Sequence, residues 1–164
     1  DGTRYYYRKT HLGQREKTVF SPGKELKILS LTNGTRIGIQ LCVETHYPEI
    51  TQTLALRGAE VVFAPHAVPR ISGNREKIWS KYIPARSYDN RIYMACCNLW
   101  DNTSFGGGCL VTGPRGEVVS ACFDDKAFLL VCEIDEDLIA SFRTLGNKRS
   151  AHFYPSLRRP ELYE

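Results

Sequence analysis

Two short segments carry residues that could act as an acylating pair: Tyr7-Arg8-Lys9-Thr10-His11-Leu12, with its lysine, and Gly38-Ile39-Gln40-Leu41-Cys42-Val43-Glu44-Thr45-His46-Tyr47-Pro48-Glu49, with its cysteine. A thiolate can attack an amide or nitrile carbon, and an ammonium beside it can favour the thiolate and pair with the developing oxyanion. Neither residue type carries that reading alone. A free thiol, with an ordinary pKa of about 8.5, is mostly protonated at neutral pH and is often simply buried. Lys9 in isolation reads as a solvated charge beside Arg4 and Arg8, and Glu16 as a surface partner of Arg15 or Lys17.

The place of Cys42 in the chain shifts that balance. Residues 36–41 read as a short strand, Pro48 and Glu49 as the first turn of a helix continuing through Ile50, Leu54 and Ala55, Gly58 as its end, and residues 60–63 as the next strand. Cys42 therefore stands where a strand ends, and in open α/β sheets the crevice beyond the carboxyl ends of the strands is where ligands bind. Further along, residues 75–90 have helical apolar spacing at Ile78, Trp79, Tyr82 and Ile83, with a kink expected at Pro84. A buried strand over 92–98 follows. Strands over 109–112 and 118–123 flank the turn Gly113-Pro114-Arg115-Gly116, and Asp124-Asp125 leads into a further strand over 127–133. Asp135 is expected to N-cap a helix through Asp137, Leu138, Ile139 and Phe142.

Taken in order, these segments resemble the carbon-nitrogen hydrolase (nitrilase) superfamily, on its amidase-like side. The lysine and cysteine motifs carry the resemblance, together with Glu16-Lys17-Thr18-Val19-Phe20-Ser21-Pro22-Gly23, Pro84-Ala85-Arg86-Ser87-Tyr88-Asp89-Asn90, Gly107-Gly108-Cys109 and the tail Arg158-Arg159-Pro160-Glu161-Leu162-Tyr163. It implies an α/β (α+β) fold, a four-layer α-β-β-α sandwich of which this chain supplies the C-terminal part, as a single domain over residues 1–164. It also implies Cys42 as nucleophile, Lys9 as the cation that steadies the tetrahedral intermediate, Glu16 as an acidic residue that orients the site, and the Val43 backbone N–H as a second oxyanion donor. Glu44, His46 and His66 are its candidates for contact with substrate; His46 would line the mouth of the pocket or cap the following helix.

The family's general base is a glutamate on a strand before the lysine motif, and this chain starts at Asp1, so no residue here inherits that role. A positioned general base contributes about 10²–10⁴ in rate, which makes the chain alone a poor catalyst by expectation. A homo-oligomer or a complementing N-terminal fragment is the expected partner, because an incomplete sandwich leaves apolar sheet surface and unpaired edges. Val43 stands where an aromatic commonly follows the nucleophile and His46 where an arginine often grips a carboxylate, so uncharged or aliphatic amides are the expected small-molecule substrates rather than acidic ones. The alternative is a catalytically silent scaffold on the same fold.

Composition narrows the rest. A net charge of +4 dispersed over 164 residues gives no nucleic-acid footprint. The cluster Arg4-Tyr5-Tyr6-Tyr7-Arg8-Lys9 reads as a strand with alternating faces rather than a stacking platform for single strands. No apolar run approaches the roughly 20 residues of a membrane span. The six cysteines form no C-x-x-C pair and the four histidines no H-E-x-x-H, so neither a metal nor another cofactor is expected, and a reducing, cytoplasmic setting is. Phe105-Gly106-Gly107-Gly108 lacks the following Lys-Ser/Thr of a phosphate loop and reads as a turn.

Overall fold

The computed structural model describes residues 4–144 and 148–163. Its frame is a six-stranded sheet in the order β1-β2-β3-β4-β5-β6, formed by Ile28–Ser30, Arg36–Ile39, Val61–His66, Tyr93–Asn98, Cys109–Thr112 and Val118–Cys122. The pairs β2–β3 and β3–β4 are parallel; β1–β2, β4–β5 and β5–β6 are antiparallel. Each parallel step needs a crossover. The helix α1 (Pro48–Leu56) supplies the first, and α2 (Arg75–Trp79) with α3 (Ile83–Asn90) the second. A fourth helix, α4 (Glu136–Arg143), follows the sheet, so the architecture is the expected mixed α/β one. Of the layers α-β-β-α, the described residues supply one sheet, with the crossover helices on one face and α4 packed on the other.

Alternate strand residues point to opposite faces, and two clusters result. On one face Val62, Ala64, Met94, Cys96 and Leu110 pack against Ile50, Leu54, Trp79 and Ile83 of the crossover helices. On the other, Val61, Tyr93 and Val111 meet Ile139 of α4, with Leu130, Cys132 and Ile134 packed alongside. Gly38 leaves room for Leu54 of α1 against β2: a Cβ there would stand 3.1 Å from Leu54 Cδ1. Pro48 in the first turn of α1 and Gly58 at φ 95° just past its end set the helix limits as the sequence implied. The strand β3 runs on through Pro65 to His66; the Pro65 nitrogen faces the β2 side, where β2 has already ended, so no ladder hydrogen bond is lost.

The elements between residues 75 and 134 depart from expectation. Instead of one kinked helix over 75–90, the chain breaks between Trp79 and Ile83, and Pro84 sits in the first turn of α3, where its missing N–H costs nothing. Residues 127–133 form no strand. Their burial alternates as a strand's would, with Leu130 and Cys132 packed inward and Leu129 87% and Val131 79% exposed, yet among the described residues no strand pairs with them. Alternation reports a covered face; a ladder also needs a neighbour. Asp135 does cap α4, its Oδ1 accepting from Leu138 N at 2.8 Å. No helix among the described residues is long and apolar enough to cross a membrane.

Candidate active site

Cys42 follows β2 at the carboxyl end of the parallel strands and opens a 3₁₀ turn, Cys42–His46, that leads into α1. Its φ is +53°, a left-handed value that costs a residue with a Cβ roughly 1–3 kcal/mol. The turn is held from both sides. Gln40, fully buried before it, accepts from Thr51 Oγ1 of α1 at 3.0 Å and donates to Glu44 O at 3.2 Å, while Thr45 Oγ1 donates to the Cys42 carbonyl at 2.8 Å. Such strain persists where the surroundings over-determine it, and here it leaves the Cys42 side chain half-exposed rather than buried in the sheet.

Lys9 lies on an irregular segment rather than on the strand expected over residues 4–9, so its position depends on side-chain and backbone anchors. Its ammonium meets both oxygens of Glu16, at 2.7 and 2.6 Å, and its carbonyl accepts from Gly23 N at 2.7 Å. Gly23 has to be glycine for this approach, since a Cβ would fall 2.2 Å from Arg8 O. The bond from Lys9, helped by Gly13 N–H at 2.6 Å, holds the Glu16 carboxyl below its ordinary pKa, so Glu16 is an anion at neutral pH. The Lys9 side chain is 13% exposed. Lys9 and Glu16 thus form one unit, with the cation largely shielded from water.

What joins that unit to the cysteine turn is Glu44. Its carboxylate is fully buried and accepts from Tyr7 Oη at 2.9 and 3.0 Å, Thr10 N at 2.6 Å, Thr10 Oγ1 at 2.6 Å, His11 N at 3.2 Å and Leu41 N at 2.6 Å. The lysine segment is therefore fastened to the residues either side of Cys42.

A family model described as carbon-nitrogen hydrolase matches residues 3–144. The chain belongs to the carbon-nitrogen hydrolase family. Among curated relatives, N-carbamoylputrescine amidase of Solanum tuberosum is 30% identical over 177 residues, covering 96% of this chain and 57% of its own length. Among solved structures, a cysteine-to-alanine mutant of an amidase from the nitrilase superfamily, from Nesterenkonia AN1, superposes with a TM-score of 0.75 at 26% identity, over 96% of this chain and 54% of that one. A glutamate-to-glutamine mutant of the amidase from Nesterenkonia sp. AN1, with the acetamide moiety of fluoroacetamide added covalently at its active-site cysteine, gives a TM-score of 0.76 at 28% identity, over the same 96% and 54%. The chain spans about half the length of the curated relatives it matches.

In this carbon-nitrogen hydrolase chain the remaining candidates separate by burial. Glu44 faces inward, and its carboxylate oxygens are engaged by the donors named above. His66, 7% exposed, packs against Trp79 with ring centroids 4.8 Å apart, and its Nδ1 lies 2.8 Å from Ala64 O. Burial, with the Arg75 and His46 charges, pushes its pKa down to about 4, against the Ala64 and Cys97 backbone bonds, so it is neutral at pH 7. It supports the turn from beneath, its Nε2 3.5 Å from Thr45 Oγ1. His46 is exposed and lies against the Tyr82 ring at 4.7 Å; Tyr47, not His46, stands at the N-cap of α1. Partial burial and the Arg86 and Arg75 cations keep its imidazole below its usual pKa. Val43 is in the first turn of the 3₁₀ segment, where amides lack an intrahelical acceptor.

Among the described residues no hydrogen bond links the Cys42 thiol to a histidine, and no group of His, Cys, Asp and Glu is placed to hold a metal. A cavity of about 410 Å³ beside the lysine segment is walled by Thr10, His11, Phe20 and Tyr47, and another of about 370 Å³ by Arg70, Arg75, Asn98 and Phe123; Cys42 lines neither. Sequence reasoning overlooked Tyr7 and Thr10 as site residues because their role is to serve Glu44, a contact 34 to 37 positions away in the chain that no local spacing reveals.

Proposed function

We propose that the protein carrying this chain hydrolyses the C–N bond of an uncharged carboxamide or carbamoyl compound through a covalent acyl-enzyme on Cys42. The Cys42 sulfur attacks the carbonyl carbon, and the oxyanion is held by the Lys9 ammonium and the Val43 N–H. Ammonia or an amine leaves, and water releases the acid. Glu16 orients Lys9. The general base comes from sequence outside residues 1–164 or from a complementing chain, so these residues alone turn over slowly. The observation that carries this reading is the placement of a left-handed Cys42 at the carboxyl end of β2 with the Lys9 segment fastened beside it. The amidase relatives support the substrate class.

A second reading, a silent scaffold, has its own observation: the apolar side chains of Phe63, Leu129 and Val131 are exposed. Fluoroacetamide labelling followed by peptide mass spectrometry separates the two. Hydrolase chemistry predicts that Cys42 is modified well before Cys96, Cys97, Cys109, Cys122 and Cys132, and that Cys42→Ala abolishes ammonia release from small amides. Uniformly slow labelling, or turnover that survives Cys42→Ala, would leave the scaffold.

A further inference from the structure

Burying a carboxylate is strongly unfavourable unless its oxygens are satisfied, so a fully buried glutamate needs a reason. The donors to Glu44 give one. Four of them, Tyr7 Oη, Thr10 N, Thr10 Oγ1 and His11 N, come from the segment that brackets Lys9; the fifth, Leu41 N, comes from the residue before Cys42. A single anion therefore bridges the two segments that carry the proposed nucleophile and the proposed oxyanion cation. Lys9 itself is held at its carbonyl by Gly23 N and at its ammonium by Glu16; across to the Cys42 turn the segment is tied by the hydrogen bonds to Glu44 and by the His11 ring against Tyr47, centroids 4.6 Å apart.

The chemistry of the contact selects a carboxylate. All five partners are donors, and a carboxylate is an acceptor at both oxygens, whereas an amide of the same shape would turn one oxygen into an NH₂ facing N–H and O–H groups. Tyr7 stays a donor: burial raises its pKa above the ordinary tyrosine value, the Thr10 bond opposes this, and the Glu44 charge adds to it.

We infer that Glu44 is a positioning residue that sets Lys9 against the Cys42 turn, so that its loss lowers the rate of the chemical step rather than the affinity for substrate. This rests on the reading of Cys42 as nucleophile and Lys9 as oxyanion cation.

The test is a double-mutant cycle on amide hydrolysis by the protein that carries this chain, using Glu44→Gln, Lys9→Ala and the pair. Glu44→Gln is expected to lower kcat by about 10²-fold with KM within about threefold, the pattern of a lost transition-state contact. In the Lys9→Ala background the same change is expected to cost less than about threefold, because the group it positions is gone. An equal loss in both backgrounds, or a KM effect alone, would overturn the inference. Should Glu44→Gln fail to fold, Tyr7→Phe and Thr10→Val each remove one hydroxyl donor; lowered kcat supports the inference and wild-type kcat in both overturns it. Amide hydrogen exchange at Thr10, His11 and Leu41 tests the tie without any turnover: exchange is expected to quicken more than about tenfold in Glu44→Gln, and unchanged exchange refutes the tie. If exchange quickens while Cys42→Ala leaves hydrolysis intact, the reading of the chemistry has failed and the tie has not.

Discussion

Lys9 is a single positive charge whose neighbours prevent it from roaming. In the proposed mechanism, an ammonium already paired with Glu16 and largely shielded would need little reorganisation to act on a developing oxyanion. Lys9→Ala should therefore lower kcat by about 10²–10³-fold while KM changes little, measured by ammonia release under saturating amide. A pure KM effect would make Lys9 a binding residue. His66 carries a prediction of a different kind. Its folded pKa, about 4, lies below its ordinary 6.5, so the folded state takes up this proton later than the unfolded chain does. Above pH 6.5 the group is neutral in both states and neutral for stability; as pH falls from 6.5 to about 4, stability is lost, by up to roughly 3 kcal/mol from this residue. Urea unfolding of wild type and His66→Gln at pH 7 and pH 4.5 isolates that loss from the protonation of carboxylates, and equal pH dependence in both would contradict it. Cys42 and Lys9 could be singled out as candidates in the sequence because both sit in motifs, whereas the burial of Glu44 was not legible, since a charged residue after a strand looks the same whether it faces water or a loop 34 residues away.

At the scale of elements, Arg91 joins more of them than its position suggests. It follows α3 with φ +52°, a conformation usually left to glycine or asparagine, and is 4% exposed. Its guanidinium donates to His152 O at 3.0 Å and Pro114 O at 2.9 Å and lies over the rings of Tyr88, Phe142 and Tyr154 at 4.1, 4.9 and 4.9 Å. One side chain thus binds the β5–β6 turn, α4 and the 3₁₀ turns of the tail to α3. Arg91→Ala is expected to cost about 2–4 kcal/mol and to open residues 148–163 to limited proteolysis before the sheet unfolds. A tail that resists protease as in wild type would show that other contacts suffice. The sequence pattern located α1, α4 and β2 to β6 because each carries its own end signals or periodicity. It passed over β1, whose Ile28–Ser30 is too short to show a period, and it placed a strand at 127–133, where alternation was real and the hydrogen-bonding neighbour was not.

For the molecule as a whole, the two faces of the sheet are unequal. Crossover helices cover one; on the other, α4 and Leu130, Cys132 and Ile134 pack over Val61, Tyr93 and Val111, while Phe63 is 44% exposed and, on the segment laid over that face, Leu129 is 87% and Val131 79% exposed. Apolar surface of that kind favours association with a complementary layer, either a second copy or a further piece of the same fold. Light scattering should therefore give a mass that is a multiple of 18.6 kDa or that includes an added segment, and Leu129→Lys with Val131→Glu should shift it downward. A monodisperse 18.6 kDa species for the unaltered chain would count against the proposed partners.

Sequence by itself determined the family and the mixed α/β class and nominated two candidates for acyl chemistry, because motif order, capping residues and apolar periodicity are local properties that a chain displays without folding. Only the tertiary structure decided which side of the cysteine turn each neighbour faces. It turned Glu44 inward to serve Tyr7, Thr10, His11 and Leu41, set His66 beneath the turn and left His46 outside it. The reason is physical: burial and hydrogen-bond partnership depend on what the rest of the chain brings within about 3 Å, and that distance is not a function of sequence separation.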